Sequence, residues 1–206
     1  MATLGLVLLG YVAWEYVGTN VVSRHHQEHQ VSALRAQWAH GQGPIPEKGD
    51  VVPGQASALV RIPRFGSDYV MPVLEGTSSD VLGQGLGHFT GTAGPGQVGN
   101  YALAGHRVTH GEPLRNMPEL RPGDTVVVET RTAIYTYVLD TDPDHLVVPF
   151  TADWVIQPFP VNPDGGVGPA ASDGRRVITL TTCSELFHTD DRMVAFGYLS
   201  QVRRRS

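Results

Sequence analysis

Residues 176 to 183 read RVITLTTC and end at Cys183, the only cysteine of the chain. Valine, isoleucine and threonine are typical of β-strands, so this stretch predicts a strand with a thiol at its end. A lone cysteine forms no internal disulfide and supplies no thiolate cluster for zinc. Cys183 is therefore either an inert core thiol or a nucleophile.

Side-chain alternation along this strand separates two sets of residues. One face carries Thr179, Thr181 and Cys183, and the other carries Ile178, Leu180 and Thr182. The apolar set suits a core, so we expect the hydroxyl and thiol set to face a cleft or solvent. A structural cysteine would more naturally share the apolar face. The pattern therefore favours a reactive thiol.

The composition predicts one folded domain with additional segments, because 206 residues of which 41% are hydrophobic can bury one good core. A formal net charge of −5 argues against a nucleic-acid partner, which would require a basic face. Residues 203–206 contain three arginines and are predicted to be a solvated basic tail.

The first 22 residues predict a membrane anchor. Leu4 to Val22 is mostly apolar and is close to the ~20 residues that cross a bilayer. A cleaved signal peptide would need a basic start and a small-residue cleavage site, and a buried core helix is the remaining alternative. Residues 23–56 are polar and then rich in proline and glycine, which predicts a stalk and a linker. The histidines at 25, 26 and 29 fit a solvated stalk better than a metal site.

Short apolar runs separated by turn residues follow the linker and predict strands. The runs are Ala58–Ile62, Tyr69–Leu74, Asn100–Ala104, Thr125–Thr130, Ile134–Asp140, Leu146–Val148, Trp154–Gln157, Val177–Thr182 and Met193–Leu199. Two short helices are expected at Ser79–Leu86 and Glu112–Met117. Many short strands without βαβ units predict a mostly antiparallel barrel or sandwich.

A thiol nucleophile needs an acid–base partner and a group that stabilises developing negative charge. His106 ends an apolar strand and His110 follows four residues later, but spacing alone does not choose among the nine histidines. Arg192 opens the last predicted strand. If the last two strands pair as a hairpin, Arg192 comes close to Cys183 and can hold an oxyanion. The alternative for Arg192 is a surface ion pair with a nearby carboxylate.

Three segments together resemble a known family. The TLTTC of residues 179–183 resembles the TLxTC signature of sortases, the cysteine transpeptidases of Gram-positive cell surfaces. The AGHR of residues 104–107 resembles the segment of their catalytic histidine, and Arg192 matches their catalytic arginine in position. Residues 88–110 look most like class E, the housekeeping type of high-GC actinobacteria. The resemblance extends from about residue 58 to residue 199.

The resemblance implies a mostly β fold: an eight-stranded sortase-type β-barrel with short helices over residues 57–202, preceded by an N-terminal transmembrane helix. It implies Cys183, His106 and Arg192 as catalytic residues and a catalytic domain outside a single-pass membrane anchor. Further groove residues expected from it are Tyr101, Thr182, Val148, Pro149 and Trp154. No cofactor is expected. No metal is expected either, since the acidic turn at 140–144 lacks the glycine and closing glutamate of an EF-hand.

The reaction implied by the resemblance is cleavage of the Thr–Gly bond in a sorting signal through a thioacyl intermediate on the cysteine. Class E enzymes are associated with LAxTG signals, and most other sortases favour LPxTG. The implied partners are surface proteins with a C-terminal sorting signal, a peptidoglycan precursor amine as nucleophile, and membrane lipid around the N-terminal helix.

Two other functions remain open from the residues. An L,D-transpeptidase would use a His-Gly element such as His110-Gly111, but the residues around Cys183 lack the serine, glycine and arginine expected there. A non-catalytic, membrane-anchored domain that binds wall components would leave Cys183 inert. A hydrolytic cysteine protease is weaker still, because no local protease signature surrounds Cys183.

Overall fold

β-Strands dominate the part of the chain that the computed structural model describes: Gly5, Trp14 and residues 18–170, 174–183 and 190–205. The strands within these residues are β1 (Ala56–Arg61), β2 (Met71–Glu75), β3 (Leu86–His88), β4 (Gly99–Ala104), β5 (Thr125–Glu129), β6 (Ala133–Leu139), β7 (Val147–Pro149), β8 (Arg176–Cys183) and β9 (Asp191–Arg204). The α-helices are α1 (Thr19–Ala39) and α2 (Ser79–Leu82). Short 3₁₀ helices lie at Pro46–Lys48, Pro63–Phe65, Met117–Glu119, Pro143–His145 and Asp153–Ile156.

Eight of these strands form a closed barrel in the order β6-β5-β1-β2-β3-β4-β8-β9, and β9 pairs with β6 to close it. The short strand β7 pairs with the start of β9 outside this ring. Pairs β2–β3 and β4–β8 are parallel, and the other neighbours are antiparallel. The predicted eight-stranded barrel with short helices is confirmed.

Strand β9 closes the barrel because it is long enough to serve two neighbours. Its first half pairs with β8, and its second half pairs with β6 as far as Arg204. At Gly197, where the partners overlap, a Cβ would lie 2.6 Å from the carbonyl oxygen of Val138, so only glycine allows the strands to approach this closely. Residues 203 and 204, which were assigned to the predicted basic tail, belong to this strand and are exposed.

The barrel interior is filled by the apolar side chains that alternation predicts. In β6, Ala133, Tyr135, Tyr137 and Leu139 are buried, and the residues between them are half-buried. In β8, Ile178 and Leu180 enter the same core, as predicted for that face; they pack with Leu103 of β4 and Ala195 of β9, among others. The pairing of β4, β8 and β9 is therefore supported by one continuous apolar cluster.

The outer face of β8 and β9 is also covered, which the sequence did not predict. Val177, Val194 and Phe196 pack there against residues 146–155, because the connection between β6 and β8 folds back over the sheet. Thr179 is 0% exposed beneath this connection, so the expectation that it faces a cleft or solvent is wrong. Its hydroxyl donates to Asn100 Oδ1 at 2.7 Å, and the Asn100 amide donates to the carbonyl oxygen of Val155 at 2.9 Å.

Helix α1 lies against the barrel along part of the segment predicted as a stalk. Val31, Leu34 and Trp38 are buried and pack with Leu59 of β1. Most of the predicted anchor lies outside the described residues, and positions 19 to 22 belong to α1, which continues across the predicted boundary at residue 22. Within the described part of the chain, no helix combines the length and the apolar character that a bilayer span requires.

The remaining differences from the predicted elements are local. Residues 154 to 157 are part of a 3₁₀ helix and its end, not a strand, although their apolar character was recognised correctly. The helix predicted at 112–117 is replaced by turns and by a 3₁₀ helix that starts at Met117, because Glu112 has a positive φ of 54°. The helix at 79–86 ends at Leu82, and its last residue, Leu86, starts the unpredicted strand β3.

We predict that Asn100→Ala destabilises the fold by about 2–4 kcal/mol, because buried polar groups of the covering segment lose their partners. Besides its bonds to Thr179 and Val155, the Asn100 amide donates to the carbonyl oxygen of Gln157 at 3.1 Å. Urea unfolding of the variant measures this loss. The matched control is Asn162→Ala in an exposed turn, for which we expect a change below about 1 kcal/mol. If both variants lose the same free energy of unfolding, the buried hydrogen bonds of Asn100 do not stabilise the fold as proposed.

Candidate active site

The ends of three neighbouring strands bring the predicted catalytic residues to one edge of the sheet. β4 runs parallel to β8, with Ala104 opposite Thr181, and His106 and Cys183 each lie two residues further along. β8 and β9 pair as the predicted hairpin, with Cys183 opposite Arg192. Arg192 is therefore the direct cross-strand partner of Cys183, and His106 follows the end of β4 on the other side of β8.

A cavity of about 380 Å³ lies at this edge, lined by both His106 and Arg192. Its other lining residues come from β8, from α2 and the neighbouring connections, and from the segment after β6: Thr77, Leu82, Phe89, Ala104, Gly105, Val148, Pro149, Phe150, Ala152, Asp153, Val155, Ile156, Thr181 and Thr182. Most of these side chains are apolar. The cavity is hereafter called the groove.

His106 is half-buried in the groove, and its Nε2 atom has no hydrogen-bond partner among the described atoms. Burial, and secondarily the neighbouring His110, lowers the pKa of His106 to about 4. The rings of the two histidines stack, with centroids 4.6 Å apart and planes 23° from parallel. His106 is consequently neutral near pH 7 and can accept a proton.

Thr182 holds the start of the histidine loop. It is 2% exposed, and its hydroxyl donates to the carbonyl oxygen of Gly105 at 2.8 Å. The amide of Gly105 also donates to the carbonyl oxygen of Thr181 at 3.1 Å, which extends the β4–β8 pairing by one residue. Thr182 therefore lines the groove as predicted and also ties the residue before His106 to the strand that ends at Cys183.

Arg192 is half-buried at the start of β9. One of its guanidinium nitrogens, Nη1, donates to the main-chain oxygen of Asp191 at 3.0 Å. Arg192 lines the groove together with His106.

The structure brings three of the five predicted substrate residues into the groove and separates two. Thr182, Val148 and Pro149 line it. Trp154 instead packs on the outer layer, with its ring 5.8 Å from that of Phe196, and lines a neighbouring cavity.

Tyr101, the other residue outside the groove, lies in the barrel interior at 2% exposure. Its position follows from strand parity, because Tyr101 shares the inward face of β4 with Leu103. Its ring lies 5.0 Å from that of His88.

The groove wall contributed by Thr77, Leu82 and Phe89 has no local sequence signal. These residues lie about a hundred positions before Cys183, and they reach the groove only because β3 pairs with β4 and places the adjoining segments at the same edge. Phe89 lies in the segment that resembles class E sortases. This resemblance is the one sequence feature that associates any residue of this wall with the site.

The described residues contain no group of three or more His, Cys, Asp or Glu side chains arranged to hold a metal ion. The histidines at 25, 26 and 29 are exposed along α1. The site is therefore described by its protein side chains alone.

Comparison with known proteins identifies this arrangement. A model of the sortase domain matches residues 60–200. The chain belongs to the sortase family, whose members are cysteine transpeptidases.

Similarity to class E sortases extends over most of the chain. Sortase SrtE1 of Streptomyces coelicolor is 37% identical over 214 residues, which cover 99% of this chain and 56% of that relative, so the chain spans just over half its length. The solved structure of sortase E from Streptomyces avermitilis is 39% identical, with a TM-score of 0.65, over 74% of this chain and 93% of that one. Sortase E1 from Streptomyces coelicolor, solved with a tripeptide in its active site, is 36% identical with a TM-score of 0.61, over 75% of this chain and 94% of that one. The predicted resemblance to class E is confirmed.

We predict that His106 makes the fold acid-sensitive. Its pKa of about 4 lies below the 6.5 of an unfolded histidine, so between these values the unfolded chain binds more protons. The stabilisation is complete above pH 6.5 and is lost as the pH falls toward 4. The free energy of unfolding should therefore fall between pH 7 and pH 4.5 in the unmodified chain by about 2 kcal/mol more than in His106→Gln.

Urea unfolding at the two pH values measures this difference, with His145→Gln as the control because the His145 side chain is 74% exposed. The control should follow the unmodified chain. Identical acid losses in all three proteins would show that His106 is not buried as a neutral ring.

Proposed function

We propose that this protein is a sortase transpeptidase that cleaves the Thr–Gly bond of an LAxTG-like sorting signal and joins the threonine to an amine. The observation that carries the proposal is the strand register that sets His106 and Arg192 on either side of the Cys183 backbone at one groove. Sortase family membership supports the same chemistry. It also argues against the L,D-transpeptidase alternative.

The first half of the reaction forms a thioester. The sulfur of Cys183 attacks the threonine carbonyl carbon, and the thiol proton passes to neutral His106. Arg192 stabilises the oxyanion of the tetrahedral intermediate. The C–N bond then breaks as His106 returns the proton to the departing glycine amine. His106 is neutral near pH 7, so its ring can accept the proton that it later donates.

The second half transfers the acyl group. An incoming amine attacks the thioester carbonyl and loses a proton to His106, the C–S bond breaks, and the proton returns to the Cys183 sulfur. Water competes with the amine at this stage. The apolar side chains of Phe89, Phe150 and Ile156 in the groove wall favour aminolysis because they limit hydration of the thioester.

The groove chemistry also supports a preference for apolar signal residues. Val148, Pro149 and Leu82 offer apolar contacts for the leucine and the alanine of LAxTG, and the more rigid LPxTG signal is the competing ligand. The relative solved with a tripeptide in its active site has the same fold, which supports a peptide ligand here.

The cellular setting is part of the proposal. The apolar residues before α1 anchor the chain in the cell membrane as a single span in contact with lipid, and the catalytic domain lies outside the cell. The acyl donors are surface proteins with a C-terminal sorting signal, and the acceptor is an amine of a peptidoglycan precursor.

We predict that the full chain, mixed with an LAxTG peptide and an amine, forms a thioacyl adduct on Cys183 and a ligated product, both detected by mass spectrometry. LPxTG should react more slowly. Cys183→Ala should abolish both products, whereas a non-catalytic binding protein would keep its peptide affinity in that variant without ever forming an adduct. If no Thr–Gly peptide reacts while the thiol is alkylated normally, the proposed activity is wrong.

We predict that the two stacked histidines differ sharply in their effect on turnover. His106→Ala should lower kcat by on the order of 10³-fold or more, because His106 is the one histidine among the described residues that line the groove. His110→Ala should lower kcat by about 10-fold or less, because His110 contacts His106 but does not line the groove. Steady-state kinetics with the LAxTG peptide measures both. If His110→Ala lowers kcat more than His106→Ala does, then His110, and not His106, transfers the proton.

A further inference from the structure

Helix α1 presents a buried face of two different chemical kinds. Its C-terminal half buries the apolar residues Val31, Leu34 and Trp38 against the barrel. Its N-terminal half buries the polar residues Asn20, Ser23 and Gln27, on the same side of the helix by their three- and four-residue spacing. Burying polar side chains is costly unless they form hydrogen bonds, so the polar half requires specific partners.

Those partners belong to the loop after His106. The Asn20 side chain accepts from the amide of Gly111 at 2.7 Å and donates to the carbonyl oxygen of Val108 at 3.4 Å. The Gln27 amide donates to the carbonyl oxygen of His110 at 3.0 Å. Arg24 adds an ion pair with Glu112 at 3.4 Å, although the arginine is exposed and contributes little.

This loop has a backbone conformation that needs outside support. His110, Gly111 and Glu112 follow one another with φ values of 55°, 80° and 54°. Left-handed conformations are unfavourable for residues other than glycine and persist only where the surroundings enforce them. At Gly111 a Cβ would lie 2.5 Å from the Gln27 side chain, so α1 packs directly on the strained turn.

The strained turn is coupled to the groove through His110. Its ring stacks on the His106 ring at 4.6 Å, and the loop is further closed by the amide of Leu114, which donates to the carbonyl oxygen of His106 at 3.0 Å. A continuous series of contacts thus runs from Asn20 and Gln27 through the turn to His106. A shift of the turn moves the ring that packs on His106.

We propose that Asn20 and Gln27 of α1 are positioning residues for His106, holding the turn at residues 108–112 so that His110 fixes the orientation of the His106 ring. This proposal rests on the proposed function only for the role of His106 in turnover. Neither Asn20 nor Gln27 lines the groove, so both act through the turn and do not touch substrate.

The test uses the full chain carrying Asn20→Ala together with Gln27→Ala. We expect kcat for transpeptidation to fall by about 3- to 10-fold, no more than for His110→Ala, with KM for the peptide nearly unchanged, because a misoriented proton donor slows the chemistry and leaves the groove intact. Asn20→Asp keeps the acceptor for the Gly111 amide and should retain most of kcat. His25→Ala, an exposed position on α1, is the matched control and should equal the unmodified chain.

A second measurement does not depend on activity. The His106 ring protons, followed by NMR across pH 3 to 8, should titrate nearer the ordinary histidine value in the double variant than in the unmodified chain, because the ring loses burial and its stacked neighbour. Among the side chains that the structure describes, the charged and titratable groups around His106 are His110 and Arg107 on its own loop, Arg192 of β9, and Asp153 across the groove. These groups are the same in the variant and in the control.

The outcomes separate the two proposals. A chain that shows no transpeptidation but whose double variant shifts the His106 titration would overturn the proposed function and support the positioning role. An active chain whose double variant keeps kcat within twofold, or keeps the His106 titration unchanged, would overturn the positioning role. Equal loss of kcat and peptide binding, with a lowered melting temperature, would also overturn it, since that pattern indicates general destabilisation.

Discussion

The parallel pairing of β4 with β8 is the constraint on which the rest of the site depends. Six successive residue pairs, from Gly99 with Arg176 to Ala104 with Thr181, align two strands that are far apart in sequence. Parallel strands end at the same edge of a sheet, so the residues that follow β4 meet those that finish β8. The Thr182 hydroxyl on the Gly105 carbonyl continues this alignment beyond the last pair. The hairpin with β9 then adds Arg192 from the other side.

Burial is the second determinant of the chemistry. A histidine on an open strand end would be partly protonated at neutral pH. Here the groove wall and the stacked His110 keep the His106 ring uncharged. The same arrangement destabilises the protein in two ways. The buried His106 ring has a nitrogen without a hydrogen bond among the described atoms, and the turn that holds its stacked neighbour, His110, has an unfavourable backbone conformation. Helix α1 supports this turn from outside the barrel, through polar contacts where a core helix would use apolar ones.

The sequence predicts the parts of the fold that are encoded locally. The alternation in β8 and the apolar run of β9 indicate that the two strands form a hairpin. This hairpin is sufficient to predict that Arg192 lies close to Cys183. The locations of Tyr101 and Thr179 were not predictable in this way, because the barrel has two buried faces and alternation does not tell inside from outside. Strand β3, with three residues and a central glycine, is too short to detect. The sequence did not predict that α1 packs against the barrel, because half of the residues on its buried face are polar.

Reaction chemistry and ligand choice come from different kinds of structure in this protein. Cys183, His106 and Arg192 sit at strand ends, whose relative positions are set by main-chain hydrogen bonds and tolerate almost no adjustment. The groove walls come from connections near residues 77–89 and 148–156, which contain only three-residue strands and otherwise short helices and turns. Evolution can therefore retune which peptide is accepted by altering connections one at a time, while the reacting groups stay in register. A single insertion within β4 or β8 has the opposite effect, since it rotates one partner to the other side of the sheet and abolishes the reaction for every substrate at once.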